Sequence, residues 1–275
     1  MIARVPASSA NMGPGFDALG LALSLHLEAA TELPDDGPGW RAEDEHHPTT
    51  VAFRVAGGDG PVWVRSPIPM GRGLGFSGAA RVAGLLLAAG QRDGVAAAGA
   101  ARDDLLAAAS ALEGHADNAA ASLHGGVVAT ARGVAVQVPM RFDPVVVCWV
   151  PSDHTLTDES RAKVARPIEF DDAVFNVGRV ALLVAALAAG DVGALRVATE
   201  DRLHQDLRLE SLPESRAALA AALDAGVWCG WLSGSGPTIA TLCAHEHAER
   251  IAAALPPGAS VKSLRIDHEG AVLEP

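Results

Sequence analysis

The chain has 275 residues, and 49% of them are hydrophobic, so it can bury a sizeable core and is not a disordered chain. Its formal net charge of −12 at pH 7 speaks against broad binding to nucleic-acid phosphate. Local binding of one anionic nucleotide stays open, because backbone N–H groups hold phosphate without basic side chains.

The first residues, "MIARVPASSANMGPGF", lack the apolar core of a secretory signal. The run "VALLVAALAAG" at 180–190 is too short by itself to span a bilayer. Cys148, Cys229 and Cys243 each lie in apolar surroundings, and buried free thiols in a reducing compartment are expected. These features point to a soluble cytoplasmic protein with no membrane or nucleic-acid partner.

Strands are expected at 2–5 and 18–30, joined by the turn-rich "SSANMGPGF". Residues 34–48 read as a polar surface loop, and 61–66 as a strand running into a glycine stretch. A helix follows at 79–89. "ARDDLLAAASALEGHADNAAASLHGG" reads as a helix, a turn near Gly114 and a second helix ending at Gly125 and Gly126. "GVVATA" and "GVAVQVP" form a hairpin about Gly133, and "PVVVCWVPS" is a buried strand. Helices are expected at 157–165, 171–189, 191–203 and 212–225. A strand at 227–232, a glycine turn, a strand at 237–243, a helix at 245–254 and a strand near 260–266 close the chain. The alternation implies an α+β architecture of two lobes, 1–145 and 146–275.

Five stretches carry candidate chemistry. In "PMGRGLGFSGAARVAGLLLA", Gly71, Gly73 and Gly75 allow close backbone approach, and the helix after them offers free N–H groups and a positive dipole end. The spacing fits neither the Walker loop nor the dinucleotide fingerprint, so on glycine content alone a phosphate site and a structural turn stand equal. Asn11 and Asp17 flank a Gly-Pro-Gly turn, where they either meet a small polar ligand or cap the turn. Glu113, His115, Asp117 and Asn118 crowd a helix start, where carboxylates could hold Mg²⁺ or merely cap. "GWLSGSGPTIATLC" brings backbone close to phosphate or to the other lobe. Arg161 and Arg202 are either solvated or aimed at a carboxylate, and His204 lies beside the latter. Cys243, His245 and His247 alternate across a strand end, so their side chains would not converge on a metal.

Together these stretches resemble the GHMP kinases, and within them the members that phosphorylate homoserine. The family pattern P-x-S-A-N-x-G-x-G-F-D-x-L-G is matched at 6–20 with one residue more between Pro6 and Ser9, E-G-H-x-D-N at 113–118, and the third motif by "LSGSGPT" at 232–238. "LTDESR" at 156–161 approximates L-S-T-x-x-A-R, and "DAVFNVGRVALLVAAL" and "ATEDRLHQD" are similar to the same branch. The resemblance implies a ribosomal-protein S5-like N-lobe that binds ATP and a ferredoxin-like C-lobe. It implies ATP-dependent phosphorylation of homoserine on the route to threonine, in a homodimer. Pro69, Gly71, Arg72, Gly73, Leu74, Gly75, Phe76, Ser77, Gly78 and Ala79 would cradle the triphosphate, with Mg²⁺ on Ser77 and Glu113. Asn11, Asp17, Asn118, Arg161 and Arg202 would bind homoserine, and Asn118 and Arg161 would serve catalysis.

The chain departs from the family twice. Members read Gly-Leu-Gly-Ser-Ser-Ala-Ala where this chain has Phe76 in place of the first serine and Gly78 in place of the following alanine. A ring turned aside leaves a backbone cradle intact; a ring aimed inward fills it. The segment "HHPTTVAFRVAGGDGP" is shorter than the family's, and Thr49 and Thr50 stand where an adenine-holding Asn is expected. A kinase for another small hydroxylated acceptor and a non-catalytic binding relative are the alternatives that the sequence leaves open.

Overall fold

The computed structural model describes residues 1–35, 37–155 and 157–275. Leu156, the first residue of the stretch "LTDESR", lies outside the described residues, as do the side chains of 157–159.

Strands β1 (Ile2–Ala10) and β2 (Leu19–Ala30) pair antiparallel, and their ladder slips between Pro6 and Ala7, where proline has no N–H to continue it. The polar stretch that follows holds a two-residue exposed strand, β3 (Arg41–Ala42). Helix α1 (Pro48–Val55) occupies the segment that reads as shorter than the family's, where the sequence reading places no helix. Pro48 supplies a preset φ at the first position, and the His47 ring accepts the Thr49 N–H at 3.2 Å. Strand β4 (Trp63–Arg65) leads to α2 (Phe76–Asp93), which starts three residues before the expected 79. Helices α3 (Val95–Ala100), α4 (Arg102–Glu113) and α5 (Asp117–His124) precede the hairpin of β5 (Val127–Ala131) and β6 (Val134–Val138).

The second half opens on β7 (Val145–Pro151), α6 (Thr157–Val164) and α7 (Phe170–Ala189). The helix expected over 191–203 shrinks to α8 (Leu195–Ala198). Polar side chains capture its flanks: Asp191 Oδ1 accepts the N–H groups of Gly193 and Ala194, and Asp201 Oδ2 accepts those of His204 and Gln205. The second capture starts α9 (Gln205–Leu209), which periodicity alone does not reveal. Then come α10 (Pro213–Asp224), β8 (Cys229–Leu232), β9 (Ile239–Cys243), a 3₁₀ turn at His245–His247, α11 (Ala248–Ala254), β10 (Ala259–Leu264) and β11 (Val272–Glu274).

Two antiparallel sheets result. The first runs β11-β1-β2-β4-β3, with β5 also on β2 and β6 beside it. The second runs β10-β7-β9-β8, so its strands lie in the order fourth, first, third, second, which is the ferredoxin-like arrangement. The expectation that all of 146–275 forms the second lobe is corrected at its end. Strand β11 crosses back to pair with Ile2–Arg4, covering an edge of β1 that would otherwise present unpaired N–H and C=O groups. The lobes share one core: Val146, Cys148, Val150 and Trp231 pack with the apolar face of the first sheet and α2. Trp231 also donates to Ser9 Oγ at 2.9 Å, and Ser9 and Ser233 hydroxyls meet at 2.7 Å, which fixes β1 to the end of β8. Cys148, Cys229 and Cys243 are free and buried, as expected.

Among the described residues α7 alone is long and apolar enough to cross a membrane, since its 20 residues extend well beyond the run at 180–190. Its inner face is packed through Leu183, Ala186 and Leu187, whereas Phe170, Val174, Val177 and Leu182 are exposed on its outer face.

Candidate active site

The glycine loop lies where β1, α5 and the β8–β9 turn converge. Gly73 has φ +77, and a Cβ there would sit 2.3 Å from the Ser233 carbonyl oxygen. Gly75 has φ +67, and a Cβ there would sit 2.0 Å from Ser8 Oγ. Side chains are excluded at both positions, so the loop backbone is pressed onto its neighbours. Ser8 N–H donates to Leu74 O at 3.2 Å and Ser233 Oγ to Gly73 O at 2.5 Å, which holds the loop from both lobes.

The first helical bond of α2 runs from Ala79 N–H to Gly75 O at 3.0 Å. The N–H groups of Phe76, Ser77 and Gly78 therefore have no acceptor within the helix and open toward the loop, with the positive end of an 18-residue dipole behind them. Ala79 is fully buried and does not line the cavity. Its N–H closes the helix, so the structure assigns it to the scaffold of the cradle and not to its surface. The Phe76 ring is 9% exposed and meets the His47 ring edge-on, with centroids 5.7 Å apart. It joins the wall on the α1 side, with Pro48 as its neighbour in the lining.

A cavity of about 270 Å³ runs from this loop to the facing surfaces of both lobes. Ser77 Oγ donates to Glu113 Oε1 at 2.6 Å, and Arg81 Nη1 donates to the same oxygen. The Glu113 side chain is almost fully buried. Asp117 Oδ1 meets His115 Nδ1 at 2.7 Å and accepts the Asn118 N–H at 2.8 Å. Burial lowers the affinity of His115 for a proton, but the Asp117 hydrogen bond and charge, with Glu113 adding, outweigh burial and the opposing Arg161, and its pKa is raised. Asn118 Oδ1 accepts from Ser8 Oγ at 2.9 Å, so the amide is oriented from β1.

Asn11 has a left-handed backbone, with φ 73. Its amide is engaged at both ends, donating to Gly234 O at 3.1 Å and accepting the Asp17 N–H at 3.2 Å. The capping reading therefore holds for Asn11, which also lines the cavity. Arg161 clamps the Asp17 carboxylate at 3.0 and 2.5 Å across the lobes. Asp17, His115 and Asp117 present ligand atoms within 4.8 Å of one another. All three are already paired, Asp17 with Arg161 and His115 with Asp117, so the group is better suited to an organic cation than to a transition metal.

Arg202 is not brought to the cavity. Its guanidinium lies 4.0 Å from the Phe175 ring centroid and pairs with Asp172 at 3.5 Å, with half of the side chain exposed. Arg208 is the arginine of this segment that reaches the cavity. Arg208 is 3% exposed, lines the cavity, donates through Nη1 to Gly234 O at 3.1 Å and stands over the Phe16 ring at 5.1 Å. Burial, then the nearby Arg161, pushes its pKa down to about 10, against the pull of Asp17, Asp201 and Asp117. It still carries its charge at neutral pH. Sequence reasoning missed it because α9 was not seen; the signal was His204 and Arg208 one helical turn apart.

The geometry agrees with the comparisons. A family model described as the GHMP kinases N-terminal domain matches residues 44–126, and one described as GHMP kinases C-terminal matches 183–258. The chain is 36% identical to a homoserine kinase of Caldanaerobacter subterraneus subsp. tengcongensis, over 90% of this chain and 84% of that one. It is 37% identical to a homoserine kinase of Streptomyces coelicolor, over 99% and 94% of the two chains. The crystal structure of homoserine kinase from Cytophaga hutchinsonii has the same fold, with a TM-score of 0.84, 24% identity and coverage of 98% and 96%. That of L. major mevalonate kinase in complex with R-mevalonate is more distant, with a TM-score of 0.70, 17% identity and coverage of 97% and 96%.

Proposed function

The chain belongs to the GHMP kinase family, and on that premise we propose that it transfers the γ-phosphoryl group of ATP to the hydroxyl of L-homoserine, on the route to threonine. One observation carries the reading: the open N–H groups at the start of α2 and a buried guanidinium share one cavity with an acidic cluster. The first suits a triphosphate, and the other two suit a small amino acid.

On binding, the Asp17–Arg161 pair opens: the acceptor's ammonium goes to Asp17, and its carboxylate to Arg208 and the released Arg161. Asn118, oriented by Ser8, directs the hydroxyl toward the phosphate. Arg161 also neutralises charge on the transferring phosphoryl group. Catalysis rests on positioning and charge stabilisation, as a loose phosphoryl-transfer transition state requires. Mg²⁺ fits Ser77 and Glu113, a hydroxyl and a carboxylate oxygen 2.6 Å apart at the mouth of α2. The second carboxylate oxygen of Glu113 lies 3.9 Å from His115. When bound, the ion would neutralise triphosphate charge.

The test is homoserine-dependent ADP release, followed by a coupled assay with ATP and Mg²⁺. Turnover is expected. Calorimetric binding of homoserine without turnover would favour a non-catalytic relative. Turnover with another small alcohol and none with homoserine would reassign the acceptor.

The outer stripe of α7 fits a second copy of the chain. It is apolar through Phe170, Val174, Val177 and Ala181 at helical spacing, and the helix's charged residues Asp171, Asp172 and Arg179 lie off it. Val177, 70% exposed, is on this stripe. Val177→Asp is expected to convert the dimer to monomer by light scattering, with the unfolding midpoint of the monomer little changed. A wild type that is monomeric at micromolar concentration sinks the assignment.

A further inference from the structure

We propose that His204 is a positioning residue that fixes the Arg208 guanidinium in the acceptor cavity, through a neutral ring with its proton on Nε2. The ligand's identity rests on the proposed function; the ring's state does not.

His204 is 1% exposed and its backbone is set by Asp201, which accepts its N–H at 2.8 Å. Its Nε2 lies 2.7 Å from Gly13 O. A carbonyl oxygen only accepts, so Nε2 must carry the proton. Its Nδ1 lies 3.2 Å from Arg208 Nη1. A guanidinium only donates, so Nδ1 must be the bare acceptor. Both contacts therefore select the same tautomer. The Phe16 ring packs on both, 5.1 Å from the His204 ring centroid and 5.1 Å from the Arg208 guanidinium carbon.

The consequence falls on Arg208. Its Nη1 is held by His204 Nδ1 and Gly234 O, and Nη2 has no acceptor among the described residues. The end of the fork left for a ligand carboxylate is thereby aimed by the imidazole. A second proton on the ring would set an N–H against an N–H, and one positive charge against another.

The groups facing the ring are Asp201, Arg208, the Gly13 carbonyl and Asp17. Burial dominates and, with Arg208, lowers the pKa below the ordinary imidazole value, against the pull of Asp201, Gly13 and Asp17. The neutral ring is thus present at neutral pH, and its alignment of Arg208 is lost only as pH falls through that lowered value.

His204→Gln separates the two contacts. The glutamine amide nitrogen reaches the Nε2 position and keeps Gly13 O satisfied, while nothing remains at Nδ1 for Arg208. KM for homoserine is expected to rise about tenfold near pH 7.5, the loss of one hydrogen bond to a charged group, with kcat and KM for ATP within about twofold. His204→Asn, whose amide reaches the Nδ1 position, is expected to recover part of the KM with a lower unfolding midpoint. The ratio of wild-type to His204→Gln kcat/KM for homoserine should fall only on the acid side of the ordinary imidazole value of about 6.5, and taking the ratio cancels the titration of ATP between the two enzymes. An unchanged homoserine KM in His204→Gln overturns the proposal.

A second measurement does not depend on activity. The long-range ¹H–¹⁵N spectrum of the wild-type imidazoles should show His204 with protonated Nε2 and bare Nδ1 near neutral pH. Arg208→Met should shift the Nδ1 resonance. An Nδ1–H tautomer or an imidazolium at neutral pH overturns the proposal even if homoserine proves not to be the acceptor.

Discussion

Arg208→Met is expected to lower kcat/KM for homoserine by about 10²–10³-fold, the loss of two charge-assisted hydrogen bonds at about 1.5–3 kcal/mol each, partly offset by relief of desolvation. Arg202→Met is expected to stay within about twofold of wild type, as surface ion pairs of this kind contribute little. The contrast follows from burial. Arg208 is 3% exposed and stands among Asp17, Asp201 and Arg161, while Arg202 lies outside, over Phe175. The same burial predicts the effect on folding. An Arg208 pKa pushed down to about 10 marks a charge that is costly to hold in the fold. Methionine fills similar space without that cost, so the unfolding midpoint should hold or rise, although Gly234 O loses a donor. Coupled ADP release gives the first quantity and calorimetry the second. If Arg202→Met proved the more damaging change, the acceptor site would have to be moved to the outer face of α7.

That pair of arginines also shows where the sequence stops being legible. The strands and helices bounded by glycines and by clear period changes, such as α4, α5 and the β5–β6 hairpin, could be read directly, because their signals are local. So could the motif residues Asp17, Ser77, Glu113, Asn118 and Arg161, which the fold does bring to one cavity. Placing Arg208 needed the phase of a five-residue helix, and that phase is set by Asp201 taking two N–H groups. No hydrophobic period reports it. Helix α1 was hidden for a similar reason: its caps are a histidine ring and a proline, and its buried face is only Thr49, Thr50, Ala52 and Phe53. Strand β11 is legible only through its partner, since three residues at a chain end acquire meaning from the open edge of β1.

Phe76→Ser is expected to cost folding more than it changes nucleotide binding. The ring is 9% exposed, belongs to the shared core and meets His47 edge-on at the start of α1. Truncating a buried phenylalanine to a small side chain costs about 3–5 kcal/mol. In a chain of this size each of these lowers the unfolding midpoint by about 2–4 °C, so a fall of about 10 °C is expected by calorimetry. The Ser77 hydroxyl and the free N–H groups at the start of α2 are untouched, and KM for ATP should stay within about threefold. Here the serine usual in the family would be the destabilising residue, because α1 has packed against a ring and not against a hydroxyl. The reverse outcome has a distinct meaning. An unchanged midpoint with a tenfold tighter KM for ATP would place the ring over the phosphates, and the cradle would then have to rely on hydroxyl groups in place of the backbone.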